Sequence, residues 1–151
     1  MEAIAARLAE RAAAPVDSAV ELGCGVGRGL YELAKGAARV VGVDVQLASL
    51  RRAQRLLDGS SIAFARRVVG RHYVHAAVAA PAPARSAFVL VCADAMDPLL
   101  VSGTFDRVVA LNVLDAVTSP PQIVAVADGL CAPDDELILA SPYAWQNGIV
   151  A

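Results

Sequence analysis

The chain has 151 residues, of which 57% are hydrophobic and 19% are charged, and its formal net charge is −2. This length predicts a single domain covering residues 1–151 with enough apolar material for a core, and the composition excludes a disordered chain. The slightly negative charge argues against a general nucleic-acid-binding protein, and the lack of any run of about 18 apolar residues argues against a membrane span.

The three cysteines are Cys24, Cys92 and Cys131. They are far apart and odd in number, so they form neither a metal-binding spacing nor an obvious disulfide set. Two acidic residues, Glu2 and Glu10, interrupt the N-terminal stretch, which argues against a secretory signal. Both observations favour a reducing compartment, and we expect a cytoplasmic protein.

Helix-forming and strand-forming segments alternate along most of the chain. In chain order, the hydrophobic pattern predicts a helix at 2–14, a strand at 17–22, a helix at 27–36, a strand at 38–44, a helix at 46–58, strands at 87–93 and 105–112, a helix at 120–130 and a strand at 136–141. Such alternation predicts an α/β fold with a doubly wound, mostly parallel sheet in strand order 3-2-1-4-5. Ligands of such sheets bind beyond the carboxyl ends of the strands, where the strand order reverses.

Residues 59–86 form a connection that is too long for a compact α/β unit unless it has structure or purpose of its own. The connection contains four arginines and no acidic residue. We predict that part of 62–78 forms an inserted hairpin or short helix over the active-site face. His72 and His75 could suggest a metal pair, but only these two candidate ligands lie nearby, so we predict no metal site.

A glycine-rich turn with glycines at 23, 25 and 27 follows the first strand and leads into a helix. Backbone N–H groups converge at such a junction, and the missing Cβ atoms let a ligand lie against the main chain. The second strand ends in Asp44, about 20 residues after Gly23, where a carboxylate can accept hydrogen bonds from a ribose diol. A dinucleotide fingerprint would need its last glycine at position 28, which is Arg28, so the spacing disfavours a nicotinamide enzyme.

Glu21 lies two residues before Gly23, and the resulting E-x-G-x-G-x-G pattern resembles motif I of the class I S-adenosylmethionine-dependent methyltransferases. The resemblance covers about residues 16–145, judged by the alternation of strands and helices. It implies S-adenosyl-L-methionine as the cofactor, with its methionine part on the glycine turn and its amino group near Glu21. The cofactor-binding residues that it implies are Glu21, Gly23, Cys24, Gly25, Gly27, Asp44, Val45, Asp94, Ala95, Met96 and Asn112.

The same resemblance implies the roles of the later cofactor residues. Asp44 would bind the ribose hydroxyls, and Asp94 would accept a hydrogen bond from the adenine amino group. Met96 or Ala95 would flank the adenine ring, and Asn112, at the tip of the fourth strand, would lie beside the reactive methyl. The residues alone leave an alternative open for Asp94, because an aspartate before a turn can be a simple cap.

Methyl transfer depends mainly on proximity and orientation, so a general base is optional. The best candidates for a base are Asp115, one helical turn after Asn112, and His72 in the insertion. An obvious catalytic pair is therefore not required for an enzyme of this kind.

Three aromatic residues, Tyr73, Tyr143 and Trp145, are candidates for a wall around a small substrate. Alternatively, Tyr143 and Trp145 pack the C-terminus onto the core. The run from Asn112 to Asp115, followed by Ser-Pro-Tyr-x-Trp, looks similar to methyltransferases acting on sulfur-modified histidine.

These features imply a methyltransferase acting on a small-molecule acceptor. The chain stops ten residues after Ser141, before the last helix and the last two strands of the family. The alternative is therefore a catalytically weak or inactive module that binds cofactor or a partner, or a fragment of a longer enzyme. The fifth strand would then be an exposed edge, through which we expect a homodimer or a partner chain.

Overall fold

The computed structural model describes residues 10–11, 14–79 and 87–144. Of the predicted N-terminal helix, only Glu10 and Arg11 and the bend at Ala14 fall within these ranges, and Glu10 and Arg11 are helical. Trp145 lies outside them. In chain order the strands and helices are β1 Val16–Leu22, α1 Arg28–Leu33, β2 Ala37–Asp44, α2 Leu47–Leu57, β3 Ile62–Val69, β4 His72–Val78, β5 Ala87–Cys92, β6 Phe105–Leu111, α3 Pro120–Leu130 and β7 Cys131–Ala140.

Five strands form one parallel sheet in the order β5-β2-β1-β6-β7. The predicted order 3-2-1-4-5 is confirmed, since β3 and β4 form a separate sheet and only shift the numbering. Strand β1 is central, and Ala19, Val20 and Leu22 are completely buried there. A strand with both faces covered is continuously apolar, which explains why the sequence alone predicted this strand.

Helices cover both faces of the sheet. On one face, α1 and α2 contribute Leu30, Leu33 and Leu50 to a cluster with sheet residues such as Val40. On the other face, α3 packs through buried side chains that include Ile123. Pro120 and Pro121 occupy the first turn of α3, where a missing N–H costs nothing. The predicted doubly wound arrangement is thus confirmed.

Strands β3 and β4 form an antiparallel hairpin with an irregularity between Arg67 and Val69. The hairpin follows α2, which runs back from the carboxyl end of β2. The predicted place of the hairpin over the active-site face stays a prediction, but its root lies at the amino edge of the sheet. The physical reason is the crossover itself, because a helix between parallel strands returns the chain to the edge where the next strand starts.

A buried ion pair ties β6 to β7 near the amino edge. Arg107 is buried, its Nε donates to Glu136 Oε2 at 2.7 Å, and its Nη1 donates to the carbonyl of Ala14 at 2.9 Å. Arg11 also bonds to Glu136. Burial opposes ionisation of Glu136, but the arginine hydrogen bonds and charges outweigh it and lower the pKa of this carboxyl. The two arginines therefore favour the charged form of Glu136 at this edge.

Candidate functional site

The carboxyl ends of β1, β2, β5 and β6 meet around one cavity of about 430 Å³. Seven of the eleven predicted cofactor residues line it, which are Gly23, Asp44, Val45, Asp94, Ala95, Met96 and Asn112. Sequence reasoning missed the remaining lining residues Gln46, Val113, Ala116, Val117 and Thr118. Most of these lie on the loop between β6 and α3, which has no motif that could have marked it.

The glycine turn crosses the end of β2. The N–H groups of Gly23 and Cys24 donate to the carbonyl of Val43 at 2.8 and 3.0 Å. Gly23 has φ +72, and a Cβ at this position would lie 2.4 Å from Val113 Cγ2. Only glycine satisfies both constraints, so the turn and the loop after β6 close against each other here.

Asp44 braces the turn as well as lining the cavity. Its Oδ2 accepts the N–H of Gly25 at 2.8 Å, and its Oδ1 accepts the N–H of Gln46 at 2.7 Å. A carboxylate oxygen has two lone-pair directions, so each oxygen can accept one more hydrogen bond from a ligand. The side chain is therefore held in place before any ligand binds.

Glu21 lies beneath the turn and is 4% exposed. Among the described residues, its Oε2 is a buried side-chain oxygen with no hydrogen-bond partner. Burial raises the pKa of Glu21 to about 8, the Leu30 backbone hydrogen bond lowers it in part, and the charge of Asp44 adds to the rise. The carboxylate fits because the facing residue is Gly29, where a Cβ would lie 2.1 Å from Glu21 Oε1. Glycine occurs at every second position from Gly23 to Gly29, and this pattern could have indicated the contact between Glu21 and Gly29.

Glu21 lines a second cavity of about 630 Å³ rather than the first. Gly23 and Asn112 line both cavities, so the two spaces adjoin at these residues. Cys24 also lines the second cavity, and burial raises the pKa of its thiol to about 12. Cys24 is thus a neutral wall residue there. The predicted Gly25 and Gly27 line neither cavity but shape the turn between them.

Asp94 forms a tight turn beyond β5. Its Oδ1 accepts the N–H of Met96 at 2.9 Å, and its carbonyl accepts the N–H of Asp97 at 3.0 Å. Asp94 thus caps its own turn and also lines the cavity, while its predicted hydrogen bond with an adenine amino group stays a prediction.

The structure does not bring the predicted catalytic and substrate residues into the cavity. Asp115 is 6% exposed and accepts hydrogen bonds from Ser141 and Ala144. His72 and Tyr73 are exposed on the hairpin. Tyr143 is 75% exposed beyond β7, and Trp145 lies outside the described residues.

Two other kinds of feature, a metal-binding cluster and a membrane-spanning helix, are absent from the described ranges. No group of three or more His, Cys, Asp or Glu side chains in 10–11, 14–79 and 87–144 is placed to hold a metal ion. None of the helices in these ranges has the length and apolar character needed to cross a membrane.

A family model described as a methyltransferase domain matches residues 20–139. The chain belongs to the methyltransferase domain family. The matched range contains the glycine turn, Asp44, Asp94 and Asn112, so the resemblance to class I S-adenosylmethionine-dependent methyltransferases is confirmed. The cavity lies at the carboxyl edge of the sheet, which is the edge where folds of this kind bind ligands.

Several solved structures, two of the three below described as methyltransferases, share the fold. The YcgJ protein of Bacillus subtilis is 11% identical with a TM-score of 0.65, and the match covers 92% of this chain and 50% of that one. An S-adenosylmethionine-dependent methyltransferase of Mesorhizobium loti is 17% identical with a TM-score of 0.59, covering 90% and 51%. One from Leishmania major is 15% identical with a TM-score of 0.58, covering 84% and 43%.

At these identities the likeness shows the fold alone. The chain spans about half the length of the solved structures that it matches. A comparison with curated proteins found no match. The domain and fold are those of S-adenosylmethionine-dependent methyltransferases, and what the chain binds and methylates is a matter for proposal.

Proposed function

We propose that this chain binds S-adenosyl-L-methionine at the carboxyl edge of its sheet and transfers the methyl group to a small-molecule acceptor. The observation that carries the proposal is the 430 Å³ cavity, in which Asp44, Asp94, Met96 and Asn112 meet the glycine turn. Together with the glycine turn after β1, these residues come from the ends of four strands, β1, β2, β5 and β6. Their convergence in one cavity supports the roles that the sequence resemblance implied.

The chemistry of the lining fits the cofactor. Asp44 is an acceptor held by two backbone N–H groups and suits a ribose diol. Asp94 suits an amino group on a ring, and Ala95, Met96, Val113 and Val117 supply apolar surface for the ring itself. Glu21, whose Oε2 has no hydrogen-bond partner among the described residues, lines the adjoining second cavity, and its carboxylate suits an ammonium group.

The charge of Glu21 would respond to such a group. With its pKa raised to about 8 by burial, Glu21 binds a proton at neutral pH. A nearby ammonium lowers the pKa of a carboxyl because it stabilises the charged form. We expect ligand binding to release a proton from Glu21 and to form a charge-assisted hydrogen bond.

When bound, the cofactor supplies a methyl group on a positively charged sulfur, and this sulfonium becomes neutral as the methyl leaves. The residues of the chain contribute orientation, which can lower a barrier by about 7–11 kcal/mol. Asn112 stands where the two cavities adjoin, which is the place we assign to the methyl group. The acceptor would approach there, from the side of the segment after β7.

A second candidate function is a binding module with weak or no turnover. The observation that favours it is that the ionisable residues lining the first cavity are Asp44 and Asp94, to which we give binding roles. Asp115 is held in hydrogen bonds and His72 lies on the hairpin, so neither predicted base faces the cavity.

The test is turnover with methyl-labelled S-adenosylmethionine and a panel of small acceptors, including thiols and sulfur-bearing imidazoles chosen from the sequence resemblance. We expect labelled product and S-adenosylhomocysteine from the wild type, with both reduced in Asp44→Ala. Cofactor binding without any labelled product would favour the binding module. If S-adenosylmethionine does not bind, both candidates are wrong.

A further inference from the structure

The loop between β6 and α3 meets the segment after β7 at the carboxyl edge. The N–H of Asn112 donates to the carbonyl of Ala140 at 2.8 Å, which joins the ends of the two strands. Five residues of this loop line the 430 Å³ cavity, which are Asn112, Val113, Ala116, Val117 and Thr118. The loop is therefore one wall of the proposed cofactor site.

Asp115 belongs to the same loop but does not line the cavity. Its Oδ1 accepts the hydroxyl of Ser141 at 3.3 Å, and its Oδ2 accepts the N–H of Ala144 at 3.1 Å. Ser141 Oγ in turn accepts the N–H of Tyr143 at 3.1 Å. We call these three hydrogen bonds the Asp115 clasp.

The clasp holds a strained backbone in place. Tyr143 has φ +56, in the left-handed region that is unfavourable for a residue with a Cβ. Such a conformation persists only where its surroundings determine it, and here the amides on both sides of Tyr143 are tied to Ser141 and Asp115. The side chain of Tyr143 remains exposed.

We propose that Asp115 is a positioning residue that couples the cavity wall to residues 141–144, so that a ligand filling the cavity orders Tyr143 beside the acceptor approach. The ligand and the acceptor in this inference rest on the proposed function. Because one face of the loop lines the cavity and Asp115 on the same loop holds the segment, fixing the loop also fixes the clasp. A base has to reach the proton of the acceptor, whereas Asp115 is buried and does not line the cavity.

The test is hydrogen–deuterium exchange of the amides in 141–144, with and without S-adenosylhomocysteine. It compares wild type with Asp115→Ala, Ser141→Ala and Asp115→Asn, and Asp128→Ala is the control. In the ligand-free state we expect exchange at Ala144 to be about tenfold faster in Asp115→Ala than in wild type, since a hydrogen bond to a charged group is lost. Ligand should slow this exchange severalfold in wild type but not in Asp115→Ala. In Ser141→Ala we expect ligand to slow the exchange less than in wild type.

Asp115→Asn separates positioning from acid–base chemistry and also guards against misfolding of the alanine variant. Its amide oxygen can accept the Ala144 N–H while its NH₂ donates to Ser141 Oγ, so we expect ligand-induced protection to persist. The control is Asp128→Ala, an exposed aspartate on α3, which should behave as wild type.

Two outcomes would overturn the inference. One is ligand-induced protection of 141–144 that is unchanged in Asp115→Ala and Ser141→Ala. The other is a loss in Asp115→Asn as large as in Asp115→Ala. If a parallel titration shows that S-adenosylhomocysteine does not bind wild type at all, the proposed function fails and the coupling fails with it. That titration distinguishes this case from binding without coupling.

Discussion

The carboxyl edge of the sheet and the hairpin β3–β4 were both predicted to contribute to one site. They differ in the exposure of their side chains and in the hydrogen bonds that hold those side chains. At the carboxyl edge, Asp44 and Asp94 are fixed by backbone N–H groups and line a cavity. On the hairpin, the large apolar side chains Phe64, Val68, Val69, Tyr73 and Val78 are 45–70% exposed. A site needs side chains held by their surroundings, and only the first region supplies them.

The strongest test of this contrast is the buried carboxylate of Glu21. Its pKa is about 8 in the folded chain and near 4.5 in the unfolded chain, so the folded state binds more protons between these values. Stability should therefore fall as pH rises from about 4.5 to about 8. We expect Glu21→Gln to match wild type near pH 4, below the unfolded pKa, and to be more stable by roughly 2–4 kcal/mol near pH 8.

The measurement is denaturant unfolding at both pH values, without ligand. Glu10→Gln, at an exposed position, is the matched control and should follow wild type. Equal pH dependence in wild type and Glu21→Gln would show that Glu21 titrates as an ordinary solvated carboxyl.

The next test concerns the close approach of Glu21 to Gly29. A methyl group at Gly29 would lie 2.1 Å from Glu21 Oε1, so the buried carboxylate would have to leave its present position. We expect Gly29→Ala to destabilise the fold by about 1–3 kcal/mol, the usual range for overpacking. Thermal or denaturant unfolding measures it.

The matched control is Gly129→Ala in α3, where an added Cβ meets nothing within 4 Å. This substitution should stabilise the helix by roughly 0.5–1 kcal/mol, because alanine has the higher helix propensity. If both variants changed stability in the same direction, the contact between Glu21 and Gly29 would not have the tightness described.

A third test asks whether Asp44 holds the ligand. We expect Asp44→Ala to weaken S-adenosylhomocysteine binding by roughly tenfold to a hundredfold, since hydrogen bonds to a charged group contribute about 1.5–3 kcal/mol. Part of this loss comes from the turn, because the N–H of Gly25 loses its acceptor.

Titration calorimetry of wild type and variant decides the matter. Asp58→Ala, at the end of α2, is the control and should change affinity little. Affinities that agree between wild type and Asp44→Ala would show that the ribose lies elsewhere.

The smallest effect is expected on the hairpin. Because the hairpin is rooted at the opposite edge, replacing both His72 and Tyr73 with alanine should leave S-adenosylhomocysteine affinity within about twofold, well under 1 kcal/mol. Met96→Ala, which removes an apolar side chain from the cavity, is the positive control in the same titration. A loss of more than about tenfold in the hairpin variant would mean that the insertion reaches the cofactor after all.

The fold and the positions at strand ends could be predicted because local patterns determine them. Parallel strands bring their carboxyl ends to one edge, so Asp44, Asp94 and Asn112 were expected to meet, and they line one cavity. A continuous apolar run predicted the first strand, and the prolines in its first turn predicted the start of α3.

Contacts between distant parts of the chain could not be predicted in the same way. Asp115 binds Ser141 and Ala144, which are 26 and 29 residues away, and nothing in the local pattern pairs them. The same holds for the pair Arg107–Glu136. The sequence also marked the hairpin as an insertion and placed it over the active-site face, but the direction of the preceding helix decides at which edge the hairpin starts.

The central claim is that the carboxyl edge of this sheet binds the methyl-donor cofactor and not a dinucleotide. Thermal unfolding with S-adenosylhomocysteine or with NAD tests it most directly. At about 100 times the dissociation constant, a bound ligand stabilises a fold by about 2.7 kcal/mol, which is a shift of several degrees for a domain of this size. We expect that shift with S-adenosylhomocysteine and none with NAD. A shift with NAD and none with S-adenosylhomocysteine would contradict the account.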